Sequence, residues 1–277
     1  MRKIGFLGPK GTFSHEAALE YIKKREIGYT ACDFNSITDT LLAVQRGEIH
    51  EAIVPIENSL EGAINVTLDT IAFDVDLKIM AEEIIAVRPN LLVKKGTRIE
   101  DIKCILSHPQ PIGQCIKYIG SRFPGAQVKS VYSTVGAVEE VLEGNGDLAA
   151  IGTIAAAEAY GLDILDRNIQ DGENNFTRFV VVSGQDSERT GDDKTSIVFS
   201  TENKPGSLYR ILDIFNLWDI NMTRIESRPA KNQLGRYIFF VDIIGHRSDD
   251  DVRDALTMVQ KKTSFYKFLG SYPVFRS

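Results

Sequence analysis

Asn175-Phe176-Thr177-Arg178-Phe179-Val180-Val181-Val182-Ser183-Gly184 is the stretch whose reading decides the fold. Residues 179–182 within it are aromatic or β-branched, the types that fit the pleated surface of a strand. The run comes late, after two successive series of short apolar runs and amphipathic stretches. Its place after the second series implies that it returns to the first and completes that sheet. The expected architecture is α/β, with two lobes joined by crossing chain and a cleft between them, where ligands of such folds bind.

Upstream, residues 3–7, 30–34 and 51–55 read as strands, with amphipathic helices over 13–24 and 37–46 between them. Ser14 and Ser36 stand near the two helix starts, where a hydroxyl satisfies free backbone N–H groups. Residues 77–94 are rich in Ile, Val and Leu without a helical period, so they read as extended chain crossing between lobes. Beyond Gly96 the alternation restarts, with strands over 104–107, 127–131 and 148–152 and helices over 112–123, 135–142 and 154–160. The first lobe is expected over about 1–95 with 175–184, and the second over about 96–174.

Downstream, residues 185–194 are polar and aperiodic, a linker. A strand over 195–200, a helix over 206–217 behind Pro205, strands over 221–227 and 236–243, a helix over 249–261 and a strand over 266–274 follow. This βαββαβ order predicts a second, α+β domain over 195–277, ferredoxin-like, with helices on one face of an antiparallel sheet. Its edges and its other face are expected to pair with another copy.

With 277 residues, 43% hydrophobic and 25% charged, the chain has material for more than one buried core. A net charge of −6 argues against a nucleic-acid partner, which is held largely by Lys and Arg. Cys32, Cys104 and Cys115 share no C-x-x-C spacing, so neither a disulfide framework nor a zinc site is indicated, and a reducing compartment fits. The N-terminus has no apolar signal core and no run of about 18 apolar residues occurs, so a cytoplasmic protein without a membrane partner is expected.

Four segments acquire meaning together: Gly8-Pro9-Lys10-Gly11-Thr12-Phe13-Ser14, Pro55-Ile56-Glu57-Asn58-Ser59, Ser107-His108-Pro109-Gln110 with Gln114-Cys115, and Asn175-Phe176-Thr177-Arg178-Phe179. In this order, and followed by a βαββαβ unit, they resemble the prephenate dehydratase family over nearly the whole chain. The resemblance implies a catalytic domain over 1–184 similar in fold to two-lobed periplasmic binding proteins, with no metal and no organic cofactor. It also implies conversion of prephenate to phenylpyruvate, water and CO2 in L-phenylalanine synthesis. The chain begins at the dehydratase segment, so a chorismate mutase domain is not expected.

That chemistry needs anion donors for two carboxylates and a proton source for the departing ring hydroxyl. Gly11, Thr12, Phe13 and Ser14 lie at a helix start, where free N–H groups suit a carboxylate, and Ser133 and Thr134 offer the same in the second lobe. Val135-Gly136-Ala137 follows there in place of the small residues usual in the family. Arg178 reads as a bidentate carboxylate clamp. Asn58 and Gln114 are neutral and orient substrate without over-stabilising the carboxylate that leaves. Ser59, Ser107, Gln110, Asn175 and Phe179 complete the expected binding set. The resemblance makes Thr177 the proton donor, whereas Glu57, if burial kept it protonated, would be the more conventional general acid; both stay open. Taken singly, these residues also have plain structural readings: a strand-to-helix turn for Gly8 and Gly11, a helix cap for Glu57-Asn58-Ser59, a turn for His108, a buried filler for Cys115.

Asn203-Lys204-Pro205-Gly206-Ser207-Leu208 and Glu226-Ser227-Arg228-Pro229 resemble the two phenylalanine-binding motifs of ACT domains attached to dehydratases, with Ser207 where Ala is usual. The resemblance assigns Asn203, Pro205, Gly206, Ser207, Leu208, Glu226, Ser227, Arg228 and Pro229 to an effector site between two such domains. It implies feedback inhibition by L-phenylalanine and a homodimer or homotetramer formed through the ACT domains. Two rivals remain at this level: a two-lobed solute sensor without catalysis, and an arogenate dehydratase.

Overall fold

The structure is a computed structural model that describes residues 1–230 and 236–276; residues 231–235 and 277 of the expected C-terminal domain lie outside the described residues. The first sheet begins with β1 (Arg2–Leu7), β2 (Tyr29–Phe34), β3 (Glu51–Asn58), the short β4 (Gly62–Ala63) and β5 (Lys78–Ala86). The second holds β6 (Asn90–Val93), β7 (Cys104–Ser107), β8 (Gln127–Ser130), β9 (Leu148–Gly152) and β10 (Asp163–Asp166). β11 (Phe176–Ser183) then inserts antiparallel between β3 and β5, giving the order β2-β1-β3-β11-β5, while the second sheet runs β10-β6-β9-β7-β8.

Helices α1 (Phe13–Lys23), α2 (Ile37–Gln45) and α3 (Asn65–Asp69) belong to the first lobe; α4 (Pro109–Gln114), α5 (Ile116–Arg122), α6 (Thr134–Glu143) and α7 (Ile154–Tyr160) belong to the second. The Thr12, Ser36, Ser133 and Thr153 side chains each accept from a backbone N–H in the first turn of their helix, which fixes where α1, α2, α6 and α7 begin. One face of the first sheet buries Phe6, Phe179 and Val181 under Ala17, Ala18 and Tyr21 of α1. The other buries Val54, Val180 and Val182 with Leu41 and Val44 of α2.

Three details differ from the sequence reading. Residues 90–93, expected in the first lobe, pair with β9 in the second sheet, so the outward crossing lies at residues 87–89. There Val87 donates to the Asn175 carbonyl and Ile169 to that of Pro89, tying the two crossing segments together. The helix expected over 112–123 is two helices broken at Cys115, because the Asp171 carboxylate accepts from the Lys117 and Tyr118 amides and caps α5 afresh. The short elements β4, α3 and β10 had no periodic signal long enough to reveal them.

The C-terminal unit contains β12 (Asp193–Ser200), α8 (Ser207–Leu217), β13 (Met222–Pro229), β14 (Tyr237–Ile244), α9 (Asp250–Lys262) and β15 (Phe265–Pro273), with sheet order β13-β14-β12-β15. Both helices cover one face, packing Ile211, Phe215, Val252 and Leu256 on Ile197, Phe199, Val241 and Ile243. The opposite face, expected to await another copy, is covered by the chain itself. Val198, Ile238, Phe240, Leu269 and Tyr272 share a core with Val54, Ile79, Val180 and Val182 of the first lobe. Gly270 permits the approach: a methyl group there would stand 2.1 Å from the Ile79 carbonyl oxygen. No helix among the described residues is long and apolar enough to cross a membrane.

Candidate functional site

A cleft of about 360 Å³ opens between the lobes, within the range of small-molecule sites. Of the residues singled out from sequence, Thr12, Phe13, Ser14, Asn58, Gln110, Gln114, Ser133, Thr134, Thr177 and Phe179 line it. Pro55, Glu61, Ile64, Val87, His108, Pro111 and Tyr132 line it as well and were not on that list. Pro55 and His108 belong to the quoted segments, so their placement was within reach; Val87, Glu61 and Tyr132 carry no local signal. Among the described residues, no Lys or Arg lines the cleft.

At the floor, Thr177 and Asn58 are direct partners on β11 and β3. Asn58 Nδ2 donates to Thr177 Oγ1 at 2.9 Å and to Asn175 Oδ1 at 2.9 Å. Its Oδ1 accepts from the Leu60 and Glu61 amides at 2.9 and 3.0 Å, so the side chain uses both donors and both lone pairs and its orientation is unambiguous. Because the Thr177 oxygen accepts this bond, its own proton is available to the cleft. Donation to the oxygen also stabilises the alkoxide left after proton transfer, which makes the hydroxyl a better acid than a free threonine. Asn175 does not line the cleft; it anchors Asn58 from behind, buried, with Nδ2 lacking an acceptor among the described residues.

Three helix starts point at the same space. α1 enters behind Thr12 and α6 behind Ser133, and the amides of Phe13, Ser14, Thr134 and Val135 in their first turns have no intrahelical acceptor. α4 begins behind His108, with Pro109 in its first turn. The expected Gly11 contact is indirect. Gly11 has φ of 91° and packs on Ala156, and its carbonyl accepts from Thr153 Oγ1 at 2.7 Å, which holds the two lobes together on one side of the cleft.

Arg178 and Glu57, expected in the site, lie on the other face of the sheet. Side chains alternate along a strand, so Arg178 cannot share a face with Thr177 and Phe179. On β3 the register slips between the pairs Arg178–Glu57 and Phe179–Pro55, leaving Ile56 unpaired. That bulge turns Ile56 and Glu57 away together and lets Pro55 and Asn58 both face the cleft. Arg178 Nη2 donates to Asp242 Oδ2 at 2.7 Å and Nη1 to Glu82 Oε2 at 3.2 Å, and Glu57 Oε2 lies 3.1 Å from Arg224 Nε. Burial works against the Arg178 charge, but Asp242, Tyr272 and Glu82 outweigh it and hold the guanidinium above its usual pKa. The carboxylate clamp is therefore a clamp on the C-terminal unit.

Ser59 and Ser107, also expected to bind substrate, use their hydroxyls on backbone. Ser59 Oγ donates to the Asn174 carbonyl and accepts from the Phe176 amide, and Ser107 Oγ donates to the Ile151 carbonyl at 2.9 Å. Cys115 is buried, and that burial, with Asp171 nearby, pushes its thiol up to about 12. Among the described residues no group of three or more His, Cys, Asp or Glu is placed to hold a metal ion.

In the C-terminal unit a smaller pocket of about 160 Å³ is lined by Asn203, Ser207 and Leu208 together with Arg236, Tyr237 and Phe239. Pro205 lies in the preceding turn and Gly206 caps α8 with φ of 75°, where an L side chain is strained. The second motif is divided by its strand. Ser227 and Pro229 pair with Phe239 and Tyr237 on the pocket side, while Glu226 pairs with Phe240, and Arg228 bridges to Asp69 at 3.0 Å, on the side facing the first lobe.

Residues 4–187 match the family described as prephenate dehydratase, and residues 195–257 match the ACT domain. The bifunctional chorismate mutase/prephenate dehydratase of Aquifex aeolicus (strain VF5) is 41% identical over 271 residues, 98% of this chain and 73% of the relative. The crystal structure of prephenate dehydratase in complex with L-Phe from Arthrobacter aurescens is similar with a TM-score of 0.87 at 36% identity, covering 98% of this chain and 90% of that one. A structure described as GqqA, a novel type of quorum quenching acylase, has a TM-score of 0.87 at 29% identity, covering 99% and 98%. By the family match and by identity across nearly its whole length, this chain belongs to the prephenate dehydratase family, carbon–oxygen lyases that couple dehydration to decarboxylation, and it carries an ACT domain.

Proposed function

We propose that the chain converts prephenate to phenylpyruvate, water and CO2, with Thr177 giving the proton to the departing ring hydroxyl, and that L-phenylalanine bound at the ACT domain inhibits it. The observation that carries the chemistry is the Asn58 amide donating to Thr177 Oγ1 at 2.9 Å in a cleft that no Lys or Arg lines among the described residues. As the C4–O bond of prephenate breaks, its oxygen becomes basic and takes the Thr177 proton, leaving as water. The electron pair of the bond between C1 and the carboxylate moves into the ring, CO2 departs, and the ring becomes aromatic. The alkoxide, held by Asn58, is reprotonated from solvent.

The absence of a lining cation fits this order of events. A carboxylate that is to become neutral CO2 loses charge in the transition state, so a strong ion pair would stabilise the ground state more. Neutral Gln110 and Gln114 avoid that, and the α1 and α6 starts can hold the carboxylate that stays. The neighbour named as an acylase would ask the same hydroxyl to act as a nucleophile, which calls for a base to take its proton. Asn58 is a donor to Thr177, which favours the proton-donor role.

The L-Phe complex of the Arthrobacter relative supports the effector reading, as do the Asn203, Ser207 and Leu208 positions around the smaller pocket. Exposed Tyr209 and Leu217 on α8, Ile225 on the edge strand β13 and Tyr237 on β14 support self-association of the ACT domain. We place the division at residues 184 and 195 and the protein in the cytoplasm. The test is phenylpyruvate formation by the purified chain from prephenate, with arogenate in parallel and L-phenylalanine titrated. Turnover of prephenate that L-phenylalanine suppresses is expected. Preference for arogenate would reassign the substrate, and turnover of neither by folded protein would overturn the reading in favour of a sensor.

A further inference from the structure

Strand β13 touches the first lobe through two ion pairs. Arg224 Nε lies 3.1 Å from Glu57 Oε2, and Arg228 Nη2 lies 3.0 Å from Asp69 Oδ2. Glu57 immediately precedes Asn58, whose amide holds the Thr177 hydroxyl. On the opposite face of the same strand Ser227 pairs with Phe239, a wall of the small ACT pocket. One strand thus has that pocket on one side and the support of the proton donor on the other.

The charges around Glu57 are only partly satisfied. Its Oε2 also stands 3.5 Å from Arg178 Nε, an ion pair too long to satisfy that donor. Arg178 Nε and Arg224 Nη2 are both buried without a hydrogen-bond acceptor among the described residues. One half-exposed carboxylate therefore serves two buried guanidiniums. The Arg178 end is anchored by Asp242 and Glu82, and Lys194 also binds Glu82 at 2.7 Å. A buried polar network with donors to spare has alternative arrangements close in energy, which is what a two-state element requires. A small movement of β13 would pass Glu57 between Arg224 and Arg178.

We propose that Arg224 is a positioning residue for the reaction: through Glu57 it sets the Asn58 amide against Thr177, and the effector acts on catalysis by altering this ion pair. The inference rests on the reading of the ACT pocket as a phenylalanine site. It differs from a steric account of inhibition because substrate donors in the cleft are untouched, so the effect falls on kcat rather than KM.

The experiment compares the full-length chain with Arg224→Gln, Glu57→Gln and the conservative Arg224→Lys, because exchanging the two charges would set an arginine against Arg178 and a carboxylate against Asp242. Each is assayed for kcat and KM on prephenate with and without L-phenylalanine, and L-phenylalanine binding is measured separately by calorimetry. The two Gln variants are expected to bind L-phenylalanine with KM for prephenate within about twofold of the parent, while kcat without effector falls severalfold and its further inhibition by L-phenylalanine shrinks to about twofold. Arg224→Lys, which keeps a cation against Glu57, retains most of the inhibition. Gln variants inhibited like the parent, Gln variants that no longer bind L-phenylalanine, or an Arg224→Lys variant that stays uninhibited would each overturn the relay. A parent chain that does not bind L-phenylalanine would instead sink the effector reading, and the relay with it. Glu57→Gln, at a half-exposed site, keeps the comparison available should Arg224→Gln fail to fold.

Discussion

Asn58 Nδ2 and Thr177 Oγ1 lie 2.9 Å apart across the β3–β11 pair, and the amide is the donor. This relationship gives an otherwise weak acid a fixed direction and a stabilised conjugate base. It also explains why two residues separated by 119 positions act as one unit: β11 is the strand that returns to the first sheet.

Removing the hydroxyl should be felt in turnover and hardly in binding. Thr177→Ala is expected to lower kcat by about 10²–10⁴-fold, the usual worth of a general acid. Thr177→Ser keeps the hydroxyl and should retain activity within about tenfold. Steady-state kinetics on prephenate decides, and an alanine variant with parental kcat would remove Thr177 from the chemistry.

Asn58→Asp separates the two jobs of that side chain. The carboxylate still accepts from the Leu60 and Glu61 amides, so the turn survives, but it cannot donate to Thr177 or Asn175. Its charge also opposes alkoxide formation. A loss of kcat of about 10²-fold or more is expected, with a melting temperature within a few degrees of the parent. Asn58→Ala should instead lose about 1 kcal/mol of stability, because the part-buried Leu60 and Glu61 amides lose their acceptor; thermal melts distinguish the two.

The Arg178–Asp242 pair ties the lobe to the ACT domain in a pH-dependent way. Burial alone would raise the Asp242 carboxyl, but Arg178, Arg224 and the Ser196 hydroxyl together outweigh it and hold it below the usual carboxylate value. A depressed folded pKa means that the stabilisation is fully present above the unfolded value of about 3.9 and is lost as pH falls through the folded one. Melting temperature should therefore stay level from pH 7 to about 5 and fall below about 4. Asp242→Asn should flatten that acid limb while lowering stability at pH 7 by about 3 kcal/mol, since Arg178 remains buried with a weaker partner.

Thiol reactivity should follow burial. Cys115 is fully buried, with its thiol pushed up to about 12, and Cys104 is raised by burial as well. Labelling of the native chain with a maleimide at pH 7.5, about one unit below a free thiol, is expected to spare Cys115 for hours. Denatured chain should label at all three positions, with mass spectrometry locating the adducts. Rapid native labelling at Cys115 would show that α4 and α5 open readily.

Much of the fold is legible in the sequence itself, and for local reasons. Hydrophobic period is written within a few residues, so α1, α2, α6, α7 and the βαββαβ order of the C-terminal unit could be read directly; of the two caps expected, Ser36 caps α2, whereas α1 is capped by Thr12 and not by Ser14. The late return of β11 followed from its place in the chain, and Asn58, Gln114, Phe13, Ser14 and Thr177 were within reach as parts of recurring segments. The alternation of a strand also implied that Thr177 and Arg178 face opposite ways, a signal that the clamp reading passed over.

Which face looks on the cleft was a matter for the tertiary structure. A single bulge at Ile56 turns Glu57 out and Asn58 in, and nothing local announces it, because the register depends on the partner strand. The ACT sheet lies on the first lobe because Gly270 allows backbone to meet backbone at Ile79, so charges that read as catalytic became the joint between domains. By itself the sequence determined the elements, their order and the chemistry carried by each segment, since these depend on neighbours in the chain. Only the fold decided which of those side chains share a space, because that depends on neighbours more than a hundred residues away.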